Sequence, residues 1–157
     1  MIRKEREVTD FNEKIKIIEK CDILRMAMVD NGKPYIVPLN FGYVVDGEKL
    51  ELYFHTAKKG MKMDILALNP NVCFEMDCEH KLLADEIACK NTFLFESVLG
   101  NGYIEFIENP SEKVNGLNIL MKHQTGKTFE IPEKATAGIA VGKIVVTELF
   151  GKARKKK

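Results

Sequence analysis

The chain reads as a mainly β protein, an antiparallel β-barrel of six or seven strands capped by two or three α-helices. Three observations predict this. Apolar segments with period-two alternation recur along the sequence, Asn31-Gly32 and Asp46-Gly47 mark tight hairpin turns between the first three of them, and only three stretches carry helical spacing. With 157 residues the chain fits one domain, read as residues 1–150 followed by a basic tail over 151–157.

The first element is a helix over Phe11 to Cys21, with Asp10 as N-cap, Glu13 as its capping-box partner, and Phe11, Ile15, Ile17, Ile18 and Cys21 as the apolar stripe. Strands follow at Leu24–Val29, Tyr35–Val45 and Leu50–His55, and the turns between them make an antiparallel meander. Beyond Gly60 the spacing of Met61, Ile65, Leu66 and Leu68 predicts a short helix that Asn69-Pro70-Asn71 ends. Val72–Met76 is a strand, and polar Glu79–Asn91 a loop with a helical turn near Leu82–Ala88. Phe93–Val98 and Gly102–Ile107 form one long strand, bulged or broken at Gly100-Asn101-Gly102. Asn109-Pro110-Ser111-Glu112 opens a last helix, with Val114, Leu117, Leu120 and Met121 inward, and Gly138–Leu149 is the final strand.

Composition narrows the function class. Hydrophobic residues at 45% and charged residues at 30% are an ordinary balance for a water-soluble domain, and no apolar run approaches the roughly 20 residues of a membrane span. The charged N-terminus has no signal-peptide pattern, so a cytoplasmic location is expected. Cys21, Cys73, Cys78 and Cys89 form no C-x-x-C pair, and on an extended strand Cys73 points away from Cys78 and His80, so no metal site is expected. A net charge of +1 and the absence of an aromatic-interleaved basic groove argue against a nucleic-acid partner, despite the basic C-terminus.

The segment richest in chemistry is Tyr53-Phe54-His55-Thr56-Ala57-Lys58-Lys59-Gly60-Met61-Lys62. It puts a hydroxyl, a glycine and three lysines between a strand end and a helix start. Backbone N–H groups at that helix start, together with lysine charge, suit a phosphate, and Gly60 permits close approach. Neither P-loop nor Rossmann spacing is present.

This segment, with Leu24–Asp30, Lys33–Phe41, Asn69–Phe74 and Glu96–Gly102, resembles the pyridoxamine-phosphate-oxidase-like split β-barrels that bind flavin mononucleotide (FMN), and among them the nitroimidazole-reductase-like branch. The resemblance covers about Cys21 to Met121. It implies FMN held in a groove between the two subunits of a homodimer, with Lys62 and Thr56 as the main phosphate ligands and Lys58 and Gly60 in the same turn. It also implies His55 close to the flavin or its substrate, where its imidazole supplies a proton near neutral pH. Pro38, Leu39, Asn40 and Phe41 correspond to the wall beside the ring, Ser97 to a contact from a neighbouring strand, and Arg25 to a basic position that forks onto phosphate.

The implied activity is an oxidoreductase that passes electrons from reduced flavin to a small electron-poor substrate. Pyridoxamine-phosphate oxidation itself is not expected, because Glu96-Ser97-Val98-Leu99 lacks the basic and amide residues of the oxidase branch. The alternative is a non-catalytic flavin- or haem-binding protein on the same fold, for which His55, His80 and His123 are the available histidine ligands.

Overall fold

The computed structural model describes residues 3–155. After a 3-10 turn at Lys4–Arg6 the chain forms strand β1 (Glu7–Val8), helix α1 (Phe11–Glu19) and strands β2 (Ile23–Asp30), β3 (Lys33–Asn40), β4 (Gly42–Asp46) and β5 (Lys49–Ala57). Helix α2 (Met61–Leu68) precedes strands β6 (Asn71–Leu83) and β7 (Thr92–Ile107), and helix α3 (Pro110–Thr125) precedes strand β8 (Ile139–Arg154). Short 3-10 turns at Ala88–Lys90 and Glu133–Thr136 complete the chain.

The strands pair antiparallel in the order β3-β2-β6-β7-β8-β5-β4, with β1 joined to β8. β3 and β4 stand at opposite ends of this order and do not pair, so the sheet curls without closing. Its concave side holds Leu24, Met26, Leu52, Phe54, Phe74, Met76, Val98 and Ile144, all buried, and Ile17 and Ile18 of α1 plug one end. That inward set recurs every second residue along each strand, as the pleat requires.

Local chemistry accounts for the element boundaries. Asp10 Oδ1 accepts from the Glu13 amide at 2.9 Å and starts α1, but the Glu13 carboxylate takes Lys16 at 2.6 Å, so the capping box is only half made. Asn31 and Gly32 both have positive φ, 48° and 80°, as a two-residue hairpin turn demands. Asn109 Oδ1 accepts from Ser111 and Glu112 ahead of α3, with Pro110 in the first turn, and Gly126 ends the helix at φ 74°.

Four expectations are corrected. The strand read over Tyr35–Val45 is two strands, because Phe41 turns fully into the core between β3 and β4. The loop read over Glu79–Asn91 is strand as far as Leu83: β6 continues past a bulge between Cys78 and Lys81, with Glu79 at φ 57°, and pairs with the start of β7. The last strand runs to Arg154 rather than Leu149, pairing Gly151–Arg154 with β7, so those residues belong to the sheet and not to a tail; Lys156 and Lys157 lie outside the described residues. Finally, α3 turns Lys113, Gly116 and Leu120 to the sheet, while Val114 and Leu117 are half-buried, because only Gly116 lets the helix settle against Tyr53 and Val141. Among the described residues, no helix is long and apolar enough to cross a membrane.

Candidate functional site

The turn from β5 into α2 is built by alternation and by one glycine. Phe54 points into the barrel, where it packs on Phe106, and Thr56, two residues on, shares that side. Gly60 has φ 120°, a backbone state that a side chain disfavours, and open space surrounds it. Its carbonyl accepts from Met63 at 2.8 Å and Asp64 at 3.2 Å, which starts α2 with no side chain capping the first amides. Those amides and the positive end of the helix dipole lie at the start of α2, just after the Thr56 turn.

Lys62 lies in this first turn. It is half-buried, burial pushes its ammonium pKa down, and among the described residues no carboxylate pairs with it. An ammonium taken partly out of water without a counter-charge is a standing cost that a bound anion relieves. Lys58 and Lys59 are exposed on the same turn and raise the local positive charge.

His55 occupies the other face of β5. Tyr53 points to α3, where it lies against Gly116, and alternation puts His55 on that side, opposite Thr56. The ring is half-buried, and its Nδ1 is buried with no hydrogen-bond partner, an unusual state for a buried polar atom and one that a ligand or water would complete. The two other histidines are engaged. His123 Nε2 bonds the Cys21 carbonyl at 2.8 Å between the rings of Phe41 and Tyr43, and His80 Nε2 bonds Asp77 at 2.7 Å.

A second group gathers on the convex side of the sheet. Arg25 pairs across the ladder with Pro38 and Glu75, and Asp77 pairs with Ser97, so Arg25, Pro38 and Ser97 share one face with two carboxylates. The Arg25 guanidinium is held by Asp77 and, at 3.1 Å, by Glu75, which contradicts a free basic fork. An incoming phosphate would have to displace both acids. Ser97 Oγ donates to the Lys152 carbonyl at 3.4 Å, a long bond that leaves the hydroxyl adaptable. Asn40 is exposed on this side opposite Ile23, Leu39 is half-buried toward the core, and Phe41 is wholly buried. Phe41 therefore packs the barrel and cannot serve as a ligand wall.

The structure thus brings Thr56, Lys58, Gly60 and Lys62 together, sets His55 behind them, and collects Arg25, Pro38, Asn40 and Ser97 on the convex face. Helix α2 packs against β2, the strand that carries Arg25. Glu75 and Asp77 were missed as partners of Arg25; their i, i+2 spacing put them on one face, but which strand lay beside them was not legible. A cavity of about 660 Å³ between α1, β4 and α3, lined by Tyr43, Asn118, Lys122 and His123, was also missed. None of the residues expected to hold FMN lines it; His123, one of the histidines open to a haem, does.

Comparison with known proteins agrees with this architecture. The sequence model of the family described as pyridoxamine 5'-phosphate oxidase matches residues 10–153. A crystal structure of a candidate 5-nitroimidazole antibiotic resistance protein from Bacteroides thetaiotaomicron is 34% identical, with 94% of this chain and 86% of that chain covered and a TM-score of 0.83. At the level of fold alone, a flavocytochrome from Azotobacter vinelandii is similar at 18% identity, over 97% of this chain and 71% of that one, with a TM-score of 0.78. A FAD- and haem-binding protein from Mycobacterium smegmatis is similar at 17% identity, over 96% and 74%, with a TM-score of 0.81. No protein of curated function matches the sequence. From the split sheet, the matched span and the 34% relative together, the chain belongs to the pyridoxamine 5'-phosphate oxidase family, on the side of its nitroimidazole-resistance-like members.

Proposed function

We propose that this chain is an FMN-dependent oxidoreductase that works as a homodimer and reduces a small electron-poor substrate. The observation that carries the reading is the β5–α2 turn, where a half-buried Lys62 without a carboxylate, an uncapped helix start and Gly60 at φ 120° meet beside Thr56. These residues fit a phosphate monoester: the ammonium supplies charge, and the free amides and the hydroxyl supply donors. The relative named for 5-nitroimidazole resistance supports an electron-poor substrate, and the flavin-binding proteins on the same fold support the cofactor.

Flavin, when bound, supplies the electron transfer. The chain's own residues bind, orient and protonate. Lys62 and Thr56 anchor the phosphate, and with it the position of the ring. His55, its Nδ1 unsatisfied, holds a proton at the end of β5 for the reduced substrate. Asn40 and Ser97 offer polar contacts on the convex face.

The homodimer follows from that face. Ile36 is 61% exposed on this face, and Val29 on β2, Leu99 on β7 and Phe150 on β8 are exposed on it too, on either side of the Arg25, Glu75 and Asp77 cluster. A second copy covers it, and the groove between copies receives the ring.

The test is spectroscopic. Purified protein is expected to take up FMN with a flavin absorbance spectrum, and Lys62→Ala is expected to weaken FMN binding about 10–100-fold, the loss of one charge-assisted phosphate contact. His55→Ala should keep flavin and lose turnover with a nitroaromatic acceptor; unchanged turnover would remove its proton role. A colourless protein that ignores FMN, or one with a haem Soret band, overturns the reading.

A further inference from the structure

Two of the four cysteines meet. Cys21, just past the end of α1, sends its thiol to the Ile17 carbonyl at 3.2 Å, and Cys78 of β6 lies 3.9 Å from the same oxygen. One carbonyl with two lone pairs thus accepts from both thiols, Cys21 from the helix end and Cys78 from β6. Neither residue belongs to the turn assigned to FMN, nor to the convex face. Cys78 shares the concave side with Met76, under α1.

Burial pushes both thiols' pKa up, so oxidation runs slowly at neutral pH, through the small thiolate fraction of Cys78. Cys21 is buried at the helix end, whereas Cys78 is half-buried and open to small reagents. The β6 backbone leaves regular geometry directly after Cys78, at the bulge where Glu79 takes φ 57°, so Cys78 sits where the strand has room to adjust. Cys73 faces the convex side and Cys89 is exposed in the β6–β7 connection, and neither has a thiol beside it.

We propose that Cys21 and Cys78 form a reversible redox pair, an oxidisable dithiol that staples α1 to β6. The oxidant is a hydroperoxide. The Cys78 thiolate attacks the distal peroxide oxygen, the O–O bond breaks, and an alcohol or water leaves with a sulfenic acid on Cys78. The Cys21 sulfur then attacks that sulfenic sulfur, water departs, and the disulfide remains. Two thiols are oxidised by two electrons as one peroxide is reduced, and a small dithiol reverses the step. The bond closes a loop from residue 21 to residue 78 and so restricts the unfolded chain.

The experiment treats the reduced full-length protein with hydrogen peroxide and counts thiols before and after. Titratable thiols are expected to fall from four to two. Trypsin is expected to release peptide 21–25 joined to peptide 63–81, with fragment ions placing the bridge on Cys78 rather than Cys73. The oxidised protein should melt at a higher temperature than the reduced one, and dithiothreitol should return it. Cys78→Ser, at a half-buried position, should abolish both bridge and melting shift even if Cys21→Ser fails to fold. Four thiols surviving oxidation, a bridge through Cys73 or Cys89, or Cys78 passing to sulfinic acid without a bridge each overturn the proposal, and a bridge that leaves the melting temperature unchanged overturns the staple.

Discussion

Glu96 shows how one buried charge is kept. Its side chain is 5% exposed, and burial alone would push its carboxyl pKa up. Lys20 at 2.7 Å and Lys155 at 2.9 Å more than offset that and hold it below the usual carboxylate range. A depressed carboxyl stabilises the fold above the unfolded-state pKa, 4.5, and that contribution is lost as pH falls through the folded value. Glu96→Gln is therefore expected to cost about 1–2 kcal/mol at pH 7 and to flatten the fall in stability on acidification, as urea unfolding at pH 7 and pH 4 would show. If both proteins lose stability equally in acid, the pair is not responsible. In the sequence Glu96 was legible only as part of a family segment, because the two lysines that satisfy it come from positions 20 and 155. Lys62, Thr56 and Gly60 could be grouped from the sequence because they lie in one turn. The acids that hold Arg25 were not legible because they lie 50 and 52 residues away.

At the scale of elements, turns and caps were read correctly wherever a local contact makes them, as at Asp10, Asn31-Gly32 and Asn109. Strand extents failed where the partner decides them. Backbone pairing with β7 resumes at Lys81–Leu83 beyond the bulge and covers Gly151–Arg154, and exposed residues in such pairing need no apolar character. The break at Phe41 was hidden because β3 and β4 read as one alternating run. Gly42, directly after that break, lies against α3: a Cβ there would fall on the backbone of Ile119 and Leu120. Gly42→Ala is expected to destabilise the fold by about 3 kcal/mol through displacement of α3 from β4. Thermal or denaturant unfolding measures this, and a loss below about 0.5 kcal/mol would mean that the helix yields freely.

For the whole molecule, the proposed dimer makes cofactor binding depend on assembly. Ile36→Lys puts a charge on the convex side of edge strand β3, in the surface proposed to meet the second copy, and is expected to shift sedimentation from dimer to monomer and to weaken FMN binding together. A wild-type chain that sediments as a monomer at micromolar concentration would remove the dimer, and with it the shared groove.

The sheet order carries one more consequence. β5 and β4 join the rest of the sheet only through β8, which pairs with β7, β5 and β1. During synthesis, the β4–β5 hairpin and the turn bearing Thr56 and Lys62 leave the ribosome about 80 residues before β8 does, at roughly 5–20 residues per second. For those seconds β5 has an open edge and the turn after it has no rigid support. The Thr56–Lys62 turn therefore takes its final form only once residues 139–154 emerge.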